Sequence, residues 1–211
     1  MKWFFYLLLS WFMIPLALAQ ENGVVEVSSQ EFSLLLAMAR HALTQGVVYQ
    51  QKVDADQVAD DFNLPPSLRR PAGSFVTLKK NGQLRGCIGT ILPKQPLHQA
   101  VVNNALLAAL QDTRFTPVQA HELSSLEVEV SVLSPLQEVA GPEAFQPGIH
   151  GVVMSKAGHQ AVFLPEVAIE QGWNREQTLS HLSVKAGLSP DSWQSATQFF
   201  LFTSQHAGAP F

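Results

Sequence analysis

Cysteine is almost absent, since Cys87 is the only cysteine among 211 residues. A single thiol cannot form a disulfide within the chain, and it cannot provide the cysteine pair on which many zinc sites are built. The sequence therefore excludes a fold held together by disulfides. Three interpretations of Cys87 stay open: a buried and inert thiol, a reactive thiol, or a thiol paired with another chain.

Basic residues are also few. Lysine and arginine number 13 against 17 acidic residues, the formal net charge is −4, and the basic residues do not cluster. A nucleic-acid-binding protein normally carries a basic patch or stripe, so we predict no nucleic-acid partner. The hydrophobic fraction of 46 % and the charged fraction of 14 % are typical of a folded protein.

Common metal and catalytic motifs are missing as well. No two of the seven histidines have H-x-x-x-H spacing, and there is no G-x-x-x-x-G-K-[ST], G-x-G-x-x-G or G-x-S-x-G pattern. The sequence thus predicts no metal site and no cofactor, and it gives no support to a serine hydrolase.

The N-terminus has a distinct composition. Lys2 precedes an almost wholly apolar run from Trp3 to Leu18, and residues 17–19 form an A-x-A cleavage pattern. We interpret residues 1–19 as a secretory signal peptide, with an uncleaved membrane anchor as the alternative. The predicted location is therefore outside the cytoplasm, periplasmic after cleavage, and the alternatives are a membrane-anchored or a cytoplasmic protein. Residues 20–27 read as a lead-in to a single domain in two lobes over residues 28–211.

Hydrophobic periodicity and turn residues predict the same order of elements twice. A hairpin around Asn81-Gly82, a helix over 96–111 and a strand over 126–132 are followed by a second hairpin, helices from Pro165 and Asn174, and a last strand over 197–203. This order predicts an α+β fold, in which two hairpin–helix–strand repeats form one mixed, barrel-like sheet with helices packed outside.

The segment LRGCIGT, residues 84–90, is the strongest local candidate for a site. Two glycines in a strand interior weaken the strand, so Gly86 and Gly89 mark a bulge or the close approach of a ligand or another backbone. Arg85 is suited to bind a carboxylate or phosphate and would favour the thiolate form of Cys87. The alternative is a glycine-kinked strand in which Cys87 packs as a small hydrophobic residue.

Several segments together resemble the AMME chromosomal region gene 1 domain family, also described as protein A of the AmmeMemoRadiSam system. They follow the family's order and cover about residues 28–204: FVTLKKNGQLRGCIGT (75–90), DTRFTPVQAHEL (112–123), LEVEVSVLSPL (126–136), GIHG (148–151), FLPEVAIEQGW (163–173) and KAGL (185–188).

The resemblance implies a compact α+β domain of two related halves, with LRGCIGT at a groove between the lobes. It also implies a Memo-like protein and a radical-SAM protein as partners, but it does not identify a reaction. The signal-like segment departs from the family, whose members are generally intracellular, and export would separate the chain from cytoplasmic partners.

These observations define two functional hypotheses. The first is an enzyme or enzyme component that binds a small anionic ligand in a groove, with Cys87 as the reactive thiol and His150 of GIHG as its base. The second is a non-catalytic binding or adaptor module in which LRGCIGT is a recognition surface. The ligand-binding candidates are Arg85, Gly86, Gly89, Thr90 and Arg114, although Arg114 could instead pair with the nearby Asp112.

Overall fold

The computed structural model describes residues 26–211, so the predicted signal segment lies outside the described residues. The described chain divides into two compact units. The larger unit contains residues 26–135 and 205–211, and the smaller unit spans Leu136–Ser204. Within residues 26–211, no helix has the length and apolar character needed to cross a membrane.

The larger unit packs helices on one face of a four-stranded sheet. The strand order is β2-β1-β3-β8, and β1 is antiparallel to both β2 and β3. Its helices and strands are α1 (Ser29–Leu43), α2 (Ala55–Asp61), β1 (Gly73–Lys80), β2 (Gln83–Thr90), α3 (Leu97–Leu110), β3 (Leu126–Leu133) and β8 (Ser204–Pro210).

Local sequence signals account for the main boundaries of this unit. Helix α1 begins with a capping box, in which Ser28 Oγ accepts a hydrogen bond from Glu31 N while the Glu31 carboxylate accepts one from Ser28 N. The β1–β2 turn places Asn81 and Gly82 at φ 53° and 72°, the left-handed conformation that a two-residue hairpin turn requires. The predicted hairpin is therefore confirmed.

The two faces of this sheet differ in chemistry because successive strand residues point to opposite sides. Val76 and Leu78 of β1, with Val128 and Val130 of β3, are fully buried in the apolar core that α1 and α3 also fill. The alternate residues of β1 therefore point to the opposite side of the sheet, which we call the non-core face.

A β-bulge decides which residues of β2 lie on the non-core face. Lys79 pairs with Leu84, but Leu78 pairs with Gly86, so Arg85 is an extra residue in β2. Beyond the bulge Thr77 is opposite Cys87 on one side and opposite Glu129 on the other. The bulge thus places Cys87 on the non-core face.

The smaller unit contains the second hairpin and its own sheet, ordered β4-β7-β5-β6 with antiparallel neighbours. Asn174, the predicted start of a helix, caps α5 in a capping box with Gln177, and Gly172 ends α4 at φ 67°. The elements are β4 (Gln137–Val139), β5 (Gly151–Lys156), β6 (His159–Phe163), α4 (Pro165–Gln171), α5 (Arg175–Lys185) and β7 (Gln198–Phe202).

The α+β class is confirmed, and both units contain the predicted repeat. In each unit the first hairpin strand, β1 or β5, lies between its hairpin partner and the strand that follows the helices. The prediction of one mixed, barrel-like sheet is wrong. Residues 26–211 form two separate sheets, because the inner strands β1 and β5 each pair on both edges with strands of their own unit. Neither sheet closes into a barrel, since the first and last strands of each order do not pair with each other.

Close packing of α3 on β2 yields a testable prediction. A Cβ atom added at Gly86 would lie 2.2 Å from the Ala108 carbonyl oxygen, so Gly86→Ala must displace the helix backbone. We expect a loss of about 1–3 kcal/mol in the free energy of unfolding, measured by urea denaturation. Gly208→Ala is the control, because its nearest neighbour is the mobile end of Glu127 at 3.1 Å. Equal stability of the two variants would contradict the packing argument.

Candidate functional site

Cys87 lies on the non-core face of β2 and is 7 % exposed. The Thr77 hydroxyl of the adjacent strand donates a hydrogen bond to Cys87 Sγ over 3.3 Å. A hydroxyl donor at this distance stabilises negative charge on sulfur. The thiol is therefore buried but has a polar partner, which a cysteine packed only as a small hydrophobic residue would lack.

The DTRF segment binds both the amide and the carbonyl of the Cys87 backbone. Asp112 Oδ2 accepts a hydrogen bond from Cys87 N at 2.9 Å, and Arg114 Nη2 donates to Cys87 O at 3.1 Å. Arg114 also donates to both carboxylate oxygens of Asp112, at 2.8 and 2.5 Å. We call these two residues the Asp112–Arg114 clamp, and they fix the position of Cys87 relative to the end of α3.

Electrostatics reinforce the clamp. Burial raises the pKa of Asp112, but hydrogen bonds from Arg114 and from the Cys87 amide outweigh it and leave the pKa below its usual value. Burial likewise acts to lower the pKa of Arg114, whereas the hydrogen bonds and charge of Asp112, with a smaller contribution from Cys87, raise it. Both groups stay ionised at neutral pH, and the Arg114 guanidinium lies within electrostatic reach of the Cys87 sulfur.

Arg85, the bulge residue, is also paired with a carboxylate. Its Nε and Nη2 atoms donate to Glu122 at 3.2 and 2.9 Å, and Nη1 donates to the Thr116 carbonyl at 2.9 Å. Lys80 Nζ donates to the same carboxylate at 3.0 Å. The hydrogen bonds from Arg85, and then those from the Gln119 amide and Lys80, lower the pKa of Glu122 to about 2.

An aromatic ring joins the two arginine sites. Phe115 has the Arg85 guanidinium carbon 6.0 Å and the Arg114 guanidinium carbon 5.4 Å from its ring centroid. Both distances are within the range of cation–π attraction. LRGCIGT and DTRF therefore form one connected site, with Phe115 between the two guanidinium groups.

The predicted ligand-binding glycines are explained by close packing. A Cβ at Gly86 would collide with the Ala108 carbonyl, and one at Gly89 would lie 2.3 Å from the Phe75 ring. The close approach expected at these glycines is thus made by the protein itself. Thr90 ends β2 opposite Ser74 and is half-buried. Whether Gly86, Gly89 and Thr90 also contact a ligand stays a prediction.

His150 belongs to the smaller unit. The sequence predicts the first strand of the second hairpin over residues 149–154, but β5 begins at Gly151, so this prediction is wrong for His150, which lies in the loop immediately before the strand. Its Nδ1 atom accepts a hydrogen bond from the Gln146 amide at 3.2 Å. Its role as a base for Cys87 stays a prediction.

Sequence reasoning missed three side chains on the non-core face that also carries the thiol: Thr77, Lys79 and Glu129. Glu129 follows Thr77 across the sheet, and Lys79 Nζ donates to Glu129 Oε2 at 2.9 Å. The alternation of apolar and polar residues along β3 was a usable signal for Glu129. Among residues 26–211, no group of three His, Cys, Asp or Glu side chains has a metal-binding arrangement.

Comparisons with known proteins identify the family. The AMMECR1 family model matches residues 36–207. A protein of Thermococcus onnurineus is 36 % identical over 182 residues, covering 81 % of this chain and 86 % of that protein. A protein of Methanothermobacter thermautotrophicus is 37 % identical over 186 residues, covering 85 % of this chain and 94 % of that protein.

A solved structure also matches the fold. The crystal structure of the uncharacterized protein PH0010 from Pyrococcus horikoshii has a TM-score of 0.80 and 32 % sequence identity, covering 86 % of this chain and 93 % of that one. The fold thus defines an α+β protein in which two units share the same hairpin–helix–strand order. The chain belongs to the AMMECR1 family, which confirms the resemblance to the AMME chromosomal region gene 1 domain. None of these names states an activity.

The ion pairs of Glu122 yield a second prediction. Because the pKa of Glu122 falls from its usual 4.5 to about 2 on folding, its stabilisation is present above pH 4.5 and is lost as the pH falls toward 2. We expect Glu122→Gln to lower the free energy of unfolding by about 1–3 kcal/mol at neutral pH, since Arg85 and Lys80 lose their carboxylate. The difference in the free energy of unfolding between the variant and the wild-type protein should shrink as the pH falls from 4.5 toward 2.

The control for Glu122→Gln is Glu127→Gln, because Glu127 is an exposed carboxylate on the neighbouring strand β3. Chemical denaturation at a series of pH values measures both variants. A Glu122→Gln variant whose stability differs from wild type by the same amount at every pH would show that Glu122 does not bind protons differently in the folded and unfolded states.

Proposed function

We propose that this AMMECR1-family protein is an enzyme or enzyme component that binds a small anionic ligand and uses the Cys87 thiol as its reactive group. The observation that carries the proposal is the environment of the sulfur. Sγ accepts a hydrogen bond from the Thr77 hydroxyl, and the Arg114 guanidinium is held against the Cys87 backbone. A hydroxyl donor and a nearby cation both favour the thiolate, which is the nucleophilic form of cysteine.

Local charge supports an anionic ligand. The connected site contains three cations, Lys80, Arg85 and Arg114, but only two carboxylates, those of Asp112 and Glu122. One positive charge is left over in this group while the Cys87 thiol is protonated, and either the thiolate or a small anion would balance it. Guanidinium groups offer paired N–H donors of the geometry that a carboxylate or phosphate needs.

A second candidate function is a non-catalytic binding or adaptor module with LRGCIGT as a recognition surface. It is favoured by the engagement of both arginines with carboxylates of the protein, at 2.9 Å for Arg85–Glu122 and 2.5 Å for Arg114–Asp112. The 7 % exposure of Cys87 also favours it, because an inert thiol is expected to be buried. In this case the site residues would shape a surface rather than react.

Thiol alkylation distinguishes the two candidates. Because Cys87 is the only cysteine, the rate of iodoacetamide addition to the folded protein reports on this one site. Under the first function we expect the thiol to react. The midpoint of the increase in its rate with pH should lie below about 8–9, the range in which ordinary cysteines titrate. Under the second we expect reaction only after unfolding in urea.

Cys87→Ser tests the role of the thiol directly. Once a small anion that binds the wild-type protein is identified by a shift in melting temperature, the serine variant should stay folded but lose reactivity toward an electrophilic analogue of that anion. A folded Cys87→Ser variant with unchanged activity would remove the thiol from the mechanism.

Location and partners are part of the proposal. We propose export with cleavage after Ala19, which would leave a mature protein beginning at Gln20. Fractionation of a C-terminally tagged protein, with sequencing of its N-terminus, tests this. A cytoplasmic protein beginning at Met1 would overturn export and restore the Memo-like and radical-SAM proteins as partners to test by co-purification.

A further inference from the structure

We propose that Thr77 is a positioning residue for Cys87, whose hydroxyl holds the thiolate sulfur in its reactive orientation on the non-core face of the sheet. This inference rests on the proposed function, because it assigns the group that prepares the same thiol. It also adds to the expected arrangement, since a hydroxyl of the adjacent strand donates a hydrogen bond to the sulfur.

The register of the sheet brings the two residues together. Thr77 of β1 is directly opposite Cys87 of β2, and paired residues of antiparallel strands have Cβ atoms about 4.5–5.5 Å apart. At that separation the hydroxyl reaches Sγ at 3.3 Å. The position is well defined, because the backbone of Cys87 is itself fixed by the Asp112–Arg114 clamp.

Charged groups around the pair are balanced. Across the sheet from Thr77, the Glu129 carboxylate would oppose a thiolate, but its ion pair with Lys79 at 2.9 Å offsets that charge. On the other side Asp112 is paired with Arg114 in the same way. Both carboxylates are paired with cations, and the Thr77 hydroxyl contacts the sulfur directly as a hydrogen-bond donor.

Direct alkylation measurements test the assignment. Thr77→Val keeps the shape of the side chain but removes its donor, whereas Thr77→Ser keeps the donor. Iodoacetamide forms one S–C bond with Cys87 and releases iodide, so the second-order rate constant reports on thiolate availability. We expect Thr77→Val to lower this constant at neutral pH by about three- to tenfold, the value of one ordinary net hydrogen bond.

Two controls separate positioning from folding. Thr77→Ser should restore the rate to within about twofold of wild type, since one hydrogen-bond donor replaces another. Thr44→Val makes the same chemical change at a threonine whose hydroxyl donates to the Arg40 carbonyl at 3.0 Å, and it should leave the rate unchanged. Melting temperatures of all variants are measured in parallel, and Thr77→Ala replaces Thr77→Val if the valine variant does not fold.

The outcomes of this experiment are distinct. If the wild-type thiol reacts and Thr77→Val reacts equally fast or faster, the role of Thr77 is overturned while the proposed function stands. If the folded wild-type protein does not react at any pH, the proposed function fails and the role of Thr77 falls with it. A slower Thr77→Val variant that Thr77→Ser rescues supports both.

Discussion

The candidate site depends on the hydrogen bonds that the Asp112 carboxylate accepts. The carboxylate accepts from the Cys87 amide and from Arg114, and Arg114 in turn donates to the Cys87 carbonyl. One side chain after α3 thus ties the end of that helix to the middle of β2. The close contact at Gly86 brings the helix and strand near enough for this to happen. The hydrogen bonds between Asp112, Arg114 and Cys87 therefore depend on the close packing of α3 on β2.

The same constraint makes the segments LRGCIGT and DTRFTPVQAHEL depend on each other in this chain. LRGCIGT contributes Arg85 and Cys87, while DTRFTPVQAHEL contributes Asp112, Arg114 and Glu122 as their partners. Each motif supplies charged groups that the other needs, because a partly buried guanidinium or carboxylate is costly unless it is paired. A role in folding and a role in binding or reaction can thus coexist in the same residues.

Much of the fold could be predicted from local signals, but the sheets could not. The Asn81-Gly82 turn and the Asn174 cap act on their own neighbours, so the sequence shows them directly. The outer strand β8 is a short run of small and polar residues without a clear alternation, and its pairing partner is distant in sequence. For the site, the sequence identified Cys87 and both arginines, but not Thr77, since an uninterrupted two-residue hairpin would pair Thr77 with Gly86.

The bulge at Arg85 has a consequence for how this hairpin can vary. Since side chains alternate along a strand, insertion of one residue between the turn and Cys87, with the bulge kept, would place the sulfur opposite Val76, facing α3 and the apolar core. The chemical environment of the cysteine is therefore encoded in the length of the segment as well as in its residue types. Among relatives, an insertion in this short stretch would change the chemistry of the thiol more than most single substitutions.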